Sequence, residues 1–175
     1  MEQHFFTFLL GINNDGSVNF SENSSKADVS LSNGAFVDVT AAGGGFITIN
    51  VNNLELSEQS NLFAGIGLDL GTSDTQGGDI TVNASGSVFL KNGSTIDIRN
   101  FGIGSTGEIA INAGDTVSLE GISSDRSSQI INVLDKGAKG QVGNIKISAN
   151  SISLKDGAKI NTSTFGEGSG GNIKI

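Results

Sequence analysis

The sequence contains no cysteine, proline, tryptophan or tyrosine among its 175 residues. Without cysteine the chain forms no disulfide bond and offers no thiolate metal ligand. The absence of cysteine does not distinguish an oxidising from a reducing compartment. No apolar run approaches the roughly 18 residues that a membrane-spanning helix needs, so we expect no membrane span. The first ten residues, MEQHFFTFLL, are partly apolar but lack a basic flank, which argues against a signal peptide.

Basic residues are scarce in the first half of the chain. The net charge is −8, which divides into −9 over residues 1–87 and +1 over residues 88–175. An acidic chain without a basic stripe argues against a nucleic-acid partner. Hydrophobic residues make up only 36% of the chain, but glycine is abundant, and its 26 copies recur in a pattern.

A short unit repeats along the chain. In each copy a glycine is followed by alternating Ile or Val, and then by Asn or Ser. The first apolar residues of successive copies are 29, 33, 29, 36 and 28 positions apart. The copies are GSVNFS (a degenerate copy that opens at Gly16), GFITIN (45–50), GDITVN (78–83), GEIAIN (107–112), GNIKIS (143–148) and GNIKI (171–175).

Two further apolar elements follow the first one in each unit, often separated by a turn such as Asn33-Gly34, Asn92-Gly93 or Asp156-Gly157. The second elements are VSL (29–31), LEL (54–56), VFL (88–90), VSL (117–119) and ISL (152–154). The third elements are VDV (37–39), LFA (62–64), IDI (96–98), INV (131–133) and INT (160–162).

Alternation of Val, Ile and Leu predicts short strands with one buried face, and no helical segment separates them. Each strand then pairs in parallel with the equivalent strand of the next unit. We therefore predict an all-β fold, a right-handed parallel β-helix solenoid with three strands per coil and about five coils. Two stacked rows follow from this arrangement, an inward row of Ile47, Ile80, Ile109 and Ile145 and an outward polar ladder of Asn50, Asn83, Asn112 and Ser148.

Three segments imitate ligand sites. GIGSTG (102–107) and GEGSGG (166–171) match G-x-G-x-x-G, but each leads into a strand rather than a helix, so we predict coil-to-coil turns and no dinucleotide cofactor. Asn13, Asp15 and Glu22 have the spacing of a calcium loop, but its first ligand position is glycine and no helix pattern follows. We expect neither a cofactor nor a metal ion.

Carboxylates are the remaining candidates for catalysis. Asp38 and Asp97 are predicted to point outward from the third sheet, two coils apart, with Phe63 between them and Asn132 and Asn161 in the next two coils. Glycoside chemistry needs carboxylates that converge on one bond. We therefore predict no enzyme and no catalytic residue. The alternative is a carbohydrate-active β-helix enzyme, such as a polysaccharide lyase or hydrolase, that uses Asp38 and Asp97.

Outward phenylalanines are the other notable side chains. Phe36 and Phe63 are predicted on the outer face of the third sheet, Phe89 on that of the second, and Phe101 and Phe165 in turns. We expect neighbouring loops, such as the insert 65–76, to cover these rings. The alternative is an exposed adhesive patch.

The repeats resemble a known family. The segments GGDITVNASGSVFLKNGSTIDI (77–98), LSNGAFVDVTAAGGGFITI (31–49) and GNIKISANSISLKDGAKINTSTFGEGSGGNIKI (143–175) closely resemble the repeats of large bacterial exoproteins of the filamentous haemagglutinin type. This resemblance covers residues 16–175. It implies a right-handed β-helix, two-partner secretion through an outer-membrane transporter, and an adhesive or surface-layer role outside the cell or on the outer membrane. It implies no catalytic residues.

We divide the chain into an N-terminal segment, residues 1–15, and a repeat domain, residues 16–175, that ends inside a repeat. Capping of the lower end of the solenoid is predicted for Phe5, Phe6, Phe8 and Leu9. We expect a piece of a longer exoprotein that acts as a structural and adhesive module, with a host cell, a surface or a polysaccharide as the ligand. Because the last strand leaves an open sheet edge, end-to-end self-association is also expected.

Overall fold

The structure is a computed structural model that describes residues 11–12, 18–19 and 26–175, and it contains strands and turns but no helix in these ranges. Accordingly, no described segment is a helix that could cross a membrane. Each strand of four parallel sheets pairs with the equivalent strand one coil earlier or later. The chain is therefore a parallel β-solenoid of about four turns, which confirms the predicted all-β architecture. The right-handed sense of the coil stays a prediction.

Three of the sheets follow the three elements of the repeat. Sheet 1 contains Ile47–Val51, Ile80–Ala84, Ile109–Ala113, Ile145–Ser148 and Ile173–Lys174. Sheet 2 contains Val29–Leu31, Leu54–Leu56, Val88–Lys91, Thr116–Glu120 and Ser151–Lys155. Sheet 3 contains Phe36–Asp38, Asn61–Ile66, Thr95–Asn100, Gln129–Leu134 and Lys159–Thr164. We call the end near Val29 the lower end and the end near Ile173 the upper end.

A fourth sheet of short strands closes the coils, where the sequence predicted only connecting turns. Sheet 4 contains Gly71–Gln76, Ile103–Ser105, Lys139–Gln141 and Glu167–Ser169. A complete coil thus has four strands rather than the predicted three. The insert 65–76, which we expected to form a covering loop, supplies one of these strands and so extends a sheet.

The glycine motifs lie in this fourth sheet. Gly104 and Gly168 adopt φ angles of 135° and 157°, and Gly140, between them, adopts 149°. A Cβ atom on Gly140 would overlap the carbonyl oxygen of Gly104, and one on Gly168 would overlap that of Gly140. The glycines therefore allow neighbouring coils to approach closely in a backbone conformation that other residues rarely adopt. Both G-x-G-x-x-G motifs lead on into strands of sheet 1, as predicted.

The core is built from the inward residues of the first three sheets. In sheet 1, Ile80 pairs in register with Ile47 on one side and with Ile109 on the other, and Ile109 pairs with Ile145. All four side chains are buried, and none is more than 6% exposed. The predicted inward row is therefore confirmed. Each coil buries its apolar face only against its neighbours, which explains why such short strands need repetition.

The outer face of sheet 1 carries the predicted asparagine ladder. Nδ2 of Asn83 donates to Oδ1 of Asn50 at 3.0 Å, and Nδ2 of Asn112 donates to Oδ1 of Asn83 at 2.9 Å. The amide groups hydrogen-bond to one another from coil to coil, so their donors and acceptors are used within the ladder. These bonds satisfy the amides within the chain, as expected of a structural ladder.

Sheet 3 corrects one predicted register. The strand Gln129–Leu134 places Ile131, not Asn132, opposite Asp97. Asn132 faces inward instead and is fully buried. There its Nδ2 donates to the carbonyl oxygen of Gly107 at 2.8 Å, and its Oδ1 accepts from the hydroxyl of Thr106 at 2.6 Å. These two bonds satisfy a polar side chain in a position that the sequence assigned to the outer face.

The first described strands do not join the parallel sheets. Val18–Asn19 pairs antiparallel with Gly11–Ile12. The degenerate copy predicted at Gly16 therefore does not extend sheet 1 below Ile47–Val51. The proposed capping residues and the proposed calcium-loop residues lie outside the described residues, namely Phe5, Phe6, Phe8, Leu9, Asn13, Asp15 and Glu22.

The upper end of the solenoid presents an apolar edge. Leu154 and Ile173 are each 42% exposed and Ile175 is 72% exposed, although they occupy inward positions of the repeat. The strands of this coil have hydrogen-bonding partners below them only. An unpaired strand edge of this kind is a template for another chain.

We expect the 175-residue polypeptide to self-associate through its upper end as its concentration rises. Light scattering across a dilution series measures this association. A designed polar coil added after Ile175 should suppress it, whereas a flexible Gly/Ser tail of equal length should not. A strict monomer at high concentration without the added coil would contradict the expectation.

Candidate functional site

The two carboxylates of the enzyme alternative do not form a pair. Asp38 is exposed, and its Oδ1 accepts a hydrogen bond from the backbone N–H of Thr40 at 2.8 Å. Asp97 lies two coils higher, and Phe63 occupies the register position between them. The side chains are thus separated by an aromatic ring, and their environments differ. Both carboxylates lie on the outer face of sheet 3, as predicted, but only Asp38 is exposed to solvent.

Asp97 is buried on the outer face of sheet 3, with 3% of its surface exposed. Its register neighbours are apolar, Phe63 below and Ile131 above. Its Oδ2 accepts from Nη2 of Arg99 at 3.2 Å, and Nη1 of Arg99 lies 3.5 Å from Oδ2 of Asp135. Oδ1 of Asp97 and Nε of Arg99 are buried without a hydrogen-bond partner among the described residues.

Burial raises the pKa of the Asp97 carboxyl from 3.8 to about 6, although the charge and hydrogen bond of Arg99 act in the opposite direction. Desolvation is the larger effect because a buried carboxylate loses its hydration. A carboxyl group that titrates near neutral pH is a suitable proton donor. Asp97 lacks a second carboxylate across a substrate groove, however, and its own carboxylate is closed to solvent.

A hairpin borders this buried group. Residues 121–128, which we call the strap, connect sheet 2 to sheet 3, and Ile122–Ser123 pairs antiparallel with Arg126–Ser127. Nη2 of Arg126 donates to Oδ1 of Asn61 at 3.0 Å, and it lies 3.5 Å from the hydroxyl of Thr95. Thr95 is the next outward residue to Asp97 on the same strand. The strap therefore places a guanidinium beside the Asp97 position.

The strap also bonds to the turns of lower coils. Nε2 of Gln59, two coils below, donates to the hydroxyl of Ser123 at 3.4 Å. The N–H of Gly93, one coil below, donates to the hydroxyl of Ser128 at 3.0 Å. The sequence contained one signal of this insertion, the 36-residue step between Ile109 and Ile145. The polar letters SSDRSS did not reveal that the insertion folds back over earlier coils.

The five phenylalanines that were predicted to lie outward or in turns divide into two groups. Phe36 and Phe165 are 64% and 67% exposed, so the expected cover is absent from both rings in the described part of the chain. The other three, Phe63, Phe89 and Phe101, are half-buried. The centroid of the Phe89 ring lies 5.1 Å from Nζ of Lys91. The outer surface therefore offers aromatic groups in several places.

Two shallow grooves lie on the outer surface. Groove 1, of about 410 Å³, runs along the corner between sheets 4 and 1, and its side chains include the amides of Gln76, Gln141, Asn144 and Asn172. Several of these amides already bond within the chain, since Gln76 donates to the carbonyl of Thr106 at 2.7 Å and Asn172 to Asn144 at 3.2 Å. Groove 1 is polar and has no aromatic floor.

Groove 2, of about 420 Å³, lies across the lower strands of sheet 2 and includes Phe89, Glu55 and Asn53. Glu55 pairs with Lys91 at 2.8 Å, so an ion pair borders the aromatic ring. At the rim, hydrogen bonds from Asn52 and Asn53 lower the pKa of the Asp28 carboxyl below its ordinary value. Groove 2 thus combines an aromatic surface with hydrogen-bonding and charged groups, without converging carboxylates.

Metal ligation finds no support in the described ranges. Within residues 11–12, 18–19 and 26–175, no three His, Asp or Glu side chains lie close enough together to hold a metal ion. Comparison with known proteins gives no further guidance, since no family model, no curated protein and no solved structure matches this chain.

Proposed function

We propose that this chain is a non-catalytic structural and adhesive module of a secreted bacterial surface exoprotein of the filamentous haemagglutinin type. Groove 2 is the observation that carries the proposal. It is open, it lies on a flat sheet face, and it presents the Phe89 ring beside hydrogen-bonding side chains. An aromatic ring flanked by polar groups fits a ligand with both apolar and hydroxyl-rich faces, such as a surface polysaccharide.

Two further features support an adhesive role. The repeats resemble those of the haemagglutinin-type exoproteins, and the solenoid is a fold that presents extended outer faces. From the same resemblance we propose that the parent protein passes through an outer-membrane transporter and acts on the outer membrane or outside the cell. A fold does not determine function by itself, so adhesion by this chain is tested directly.

The test is adhesion of protein-coated beads to erythrocytes. Beads that carry the 175-residue chain are expected to adhere several-fold more than beads that carry albumin. Phe89→Ser should reduce this adhesion, because it removes the aromatic surface of groove 2. Ser118→Ala is the matched control, since Ser118 is the register neighbour of Phe89 on the same outer face. Adhesion no greater than that of albumin beads would contradict the proposal.

The alternative, a carbohydrate-active enzyme, rests on the buried carboxyl of Asp97, because burial raises its pKa to about 6. It makes a different prediction for the same material. Incubation with soluble polysaccharides would release new reducing ends, and Asp97→Asn would abolish the release. The adhesive proposal expects no release by either protein.

A further inference from the structure

An ammonium group already lies at groove 2, that of Lys91. Its Nζ is 2.8 Å from Oε2 of Glu55 and 5.1 Å from the centroid of the Phe89 ring. Glu55 and Phe89 are register neighbours on adjacent strands of sheet 2, so the carboxylate and the ring lie side by side on the outer face. Both a carboxylate and the face of an aromatic ring attract an ammonium group. The Lys91 side chain therefore shows which chemistry this part of groove 2 accepts.

Groove 2 contains a second carboxylate, that of Asp28. Its Oδ1 accepts hydrogen bonds from the backbone N–H of Asn53 at 3.0 Å and from the side-chain amides of Asn52 and Asn53 at 2.9 Å each. These bonds hold the exposed carboxylate in one orientation, and all of them reach the same oxygen. The lining residues of groove 2 include two carboxylates and no cation, and Lys91 at the border pairs with only one of them. A negative charge is therefore left for a ligand to neutralise.

The ion pair between Lys91 and Glu55 can exchange for a pair with a ligand. The two side chains are 33% and 39% exposed, and a surface pair of this kind contributes little to stability. Lys91 also has a second carboxylate nearby, because Glu120 is its register neighbour in the coil above. A ligand ammonium can therefore take the place of Nζ between Glu55 and Phe89 while Lys91 turns toward Glu120.

We propose that groove 2 binds an amino sugar with an unacetylated amine, as a unit of a cationic surface polysaccharide. The inference rests on the proposed function for the choice of groove 2 as the binding surface. The apolar face of the sugar ring contacts Phe89, and its hydroxyls reach Ser30 and Ser87. Its ammonium lies near the carboxylates of Glu55 and Asp28. An N-acetylated sugar lacks this charge and an acidic sugar is repelled, so the same groups select against both.

Titration of the chain with a glucosamine oligomer, followed by NMR spectroscopy, tests the proposal. At about pH 6, where an amine is protonated, the Kd of this oligomer should be several-fold lower than that of its N-acetylated form. The largest shifts of backbone amide signals should lie around Phe89 and Asn53. Equal or tighter binding of the N-acetylated oligomer would overturn the proposal. Beads that adhere to erythrocytes without this preference for the amine would leave the adhesive role intact and refute only the ligand.

Two lysine variants separate groove 2 from the charge of the whole chain. Lys91→Met leaves Glu55 and Phe89 to the ligand, so the Kd of the glucosamine oligomer should fall by about three- to five-fold. Lys146→Met is the matched control, because Lys146 forms an equivalent ion pair with Glu108 at 2.7 Å on sheet 1, outside groove 2. It changes the net charge equally and should leave the Kd unchanged. Weaker binding after Lys91→Met, or equal tightening in both variants, would disprove the proposed site.

Discussion

Ile109→Asp is expected to destabilise the solenoid by about 4 kcal/mol or more and to lower its melting temperature by roughly 10 °C. Ile109 is fully buried and packs between Ile80 of the coil below and Ile145 of the coil above. An aspartate there would place a carboxylate in an apolar column without a partner. Because each coil is buried only by its neighbours, the loss affects both adjoining interfaces. Thermal unfolding followed by circular dichroism measures the effect.

Ala110→Asp is the matched control, since it introduces the same charge one residue further along the same strand. Ala110 faces outward, and its register neighbours are Thr81 and Lys146. The new carboxylate would be hydrated and near a lysine, so the stability should change by no more than about 0.5 kcal/mol. Similar losses in the two variants would contradict the assignment of the inner and outer faces.

Gly140→Ala is expected to cost about 3 kcal/mol or more, for a reason unrelated to hydrophobic burial. Gly140 has a φ of 149°, and a Cβ atom there would overlap the carbonyl oxygen of Gly104 in the coil below. The backbone of sheet 4 would have to move away, and its pairing with Glu167–Ser169 would weaken. Urea unfolding should show a lower midpoint.

Gly170→Ala is the control for this substitution. Gly170 lies in the same region of the upper coil, has no positive φ, and has no atom within 4 Å of the position that a Cβ would occupy. The variant should be as stable as the parent chain or slightly more so, since alanine restricts the unfolded state. If both alanine variants unfolded at the same urea concentration, the close approach of the coils at Gly140 would be disproved.

The sequence predicted the repetitive part of the fold because repetition carries redundant information. Three sheets and the inward isoleucine row follow from alternation that recurs in every unit. The fourth sheet was missed because its strands contain glycine and polar residues, as in Ile103–Ser105, and show no alternation. Its pairing depends on the close approach of backbones, which side-chain patterns do not report.

Local ambiguity explains the other errors. The letters QIINVL permit two registers, and a shift of one residue exchanges the faces of Ile131 and Asn132. Only the partners of Asn132 inside the solenoid decide between them. Asp97 lies on the predicted face, but its burial was not predicted, because alternation gives the direction of a side chain and not what packs over it. Residues distant in sequence lie beside this face, such as Arg126 of the strap, which is 3.5 Å from the hydroxyl of Thr95.

The strap also changes how the solenoid would bear a mechanical load. Tension along the axis of a plain solenoid acts on its coils in series, so the terminal coil peels away first and the others follow singly. The contacts of Ser123 and Arg126 with Gln59 and Asn61 bridge two coil interfaces at once. Tension there is shared by links in parallel, and the bridged coils yield as a block. Under such tension, the bridged block is expected to unfold after the coils that are held singly.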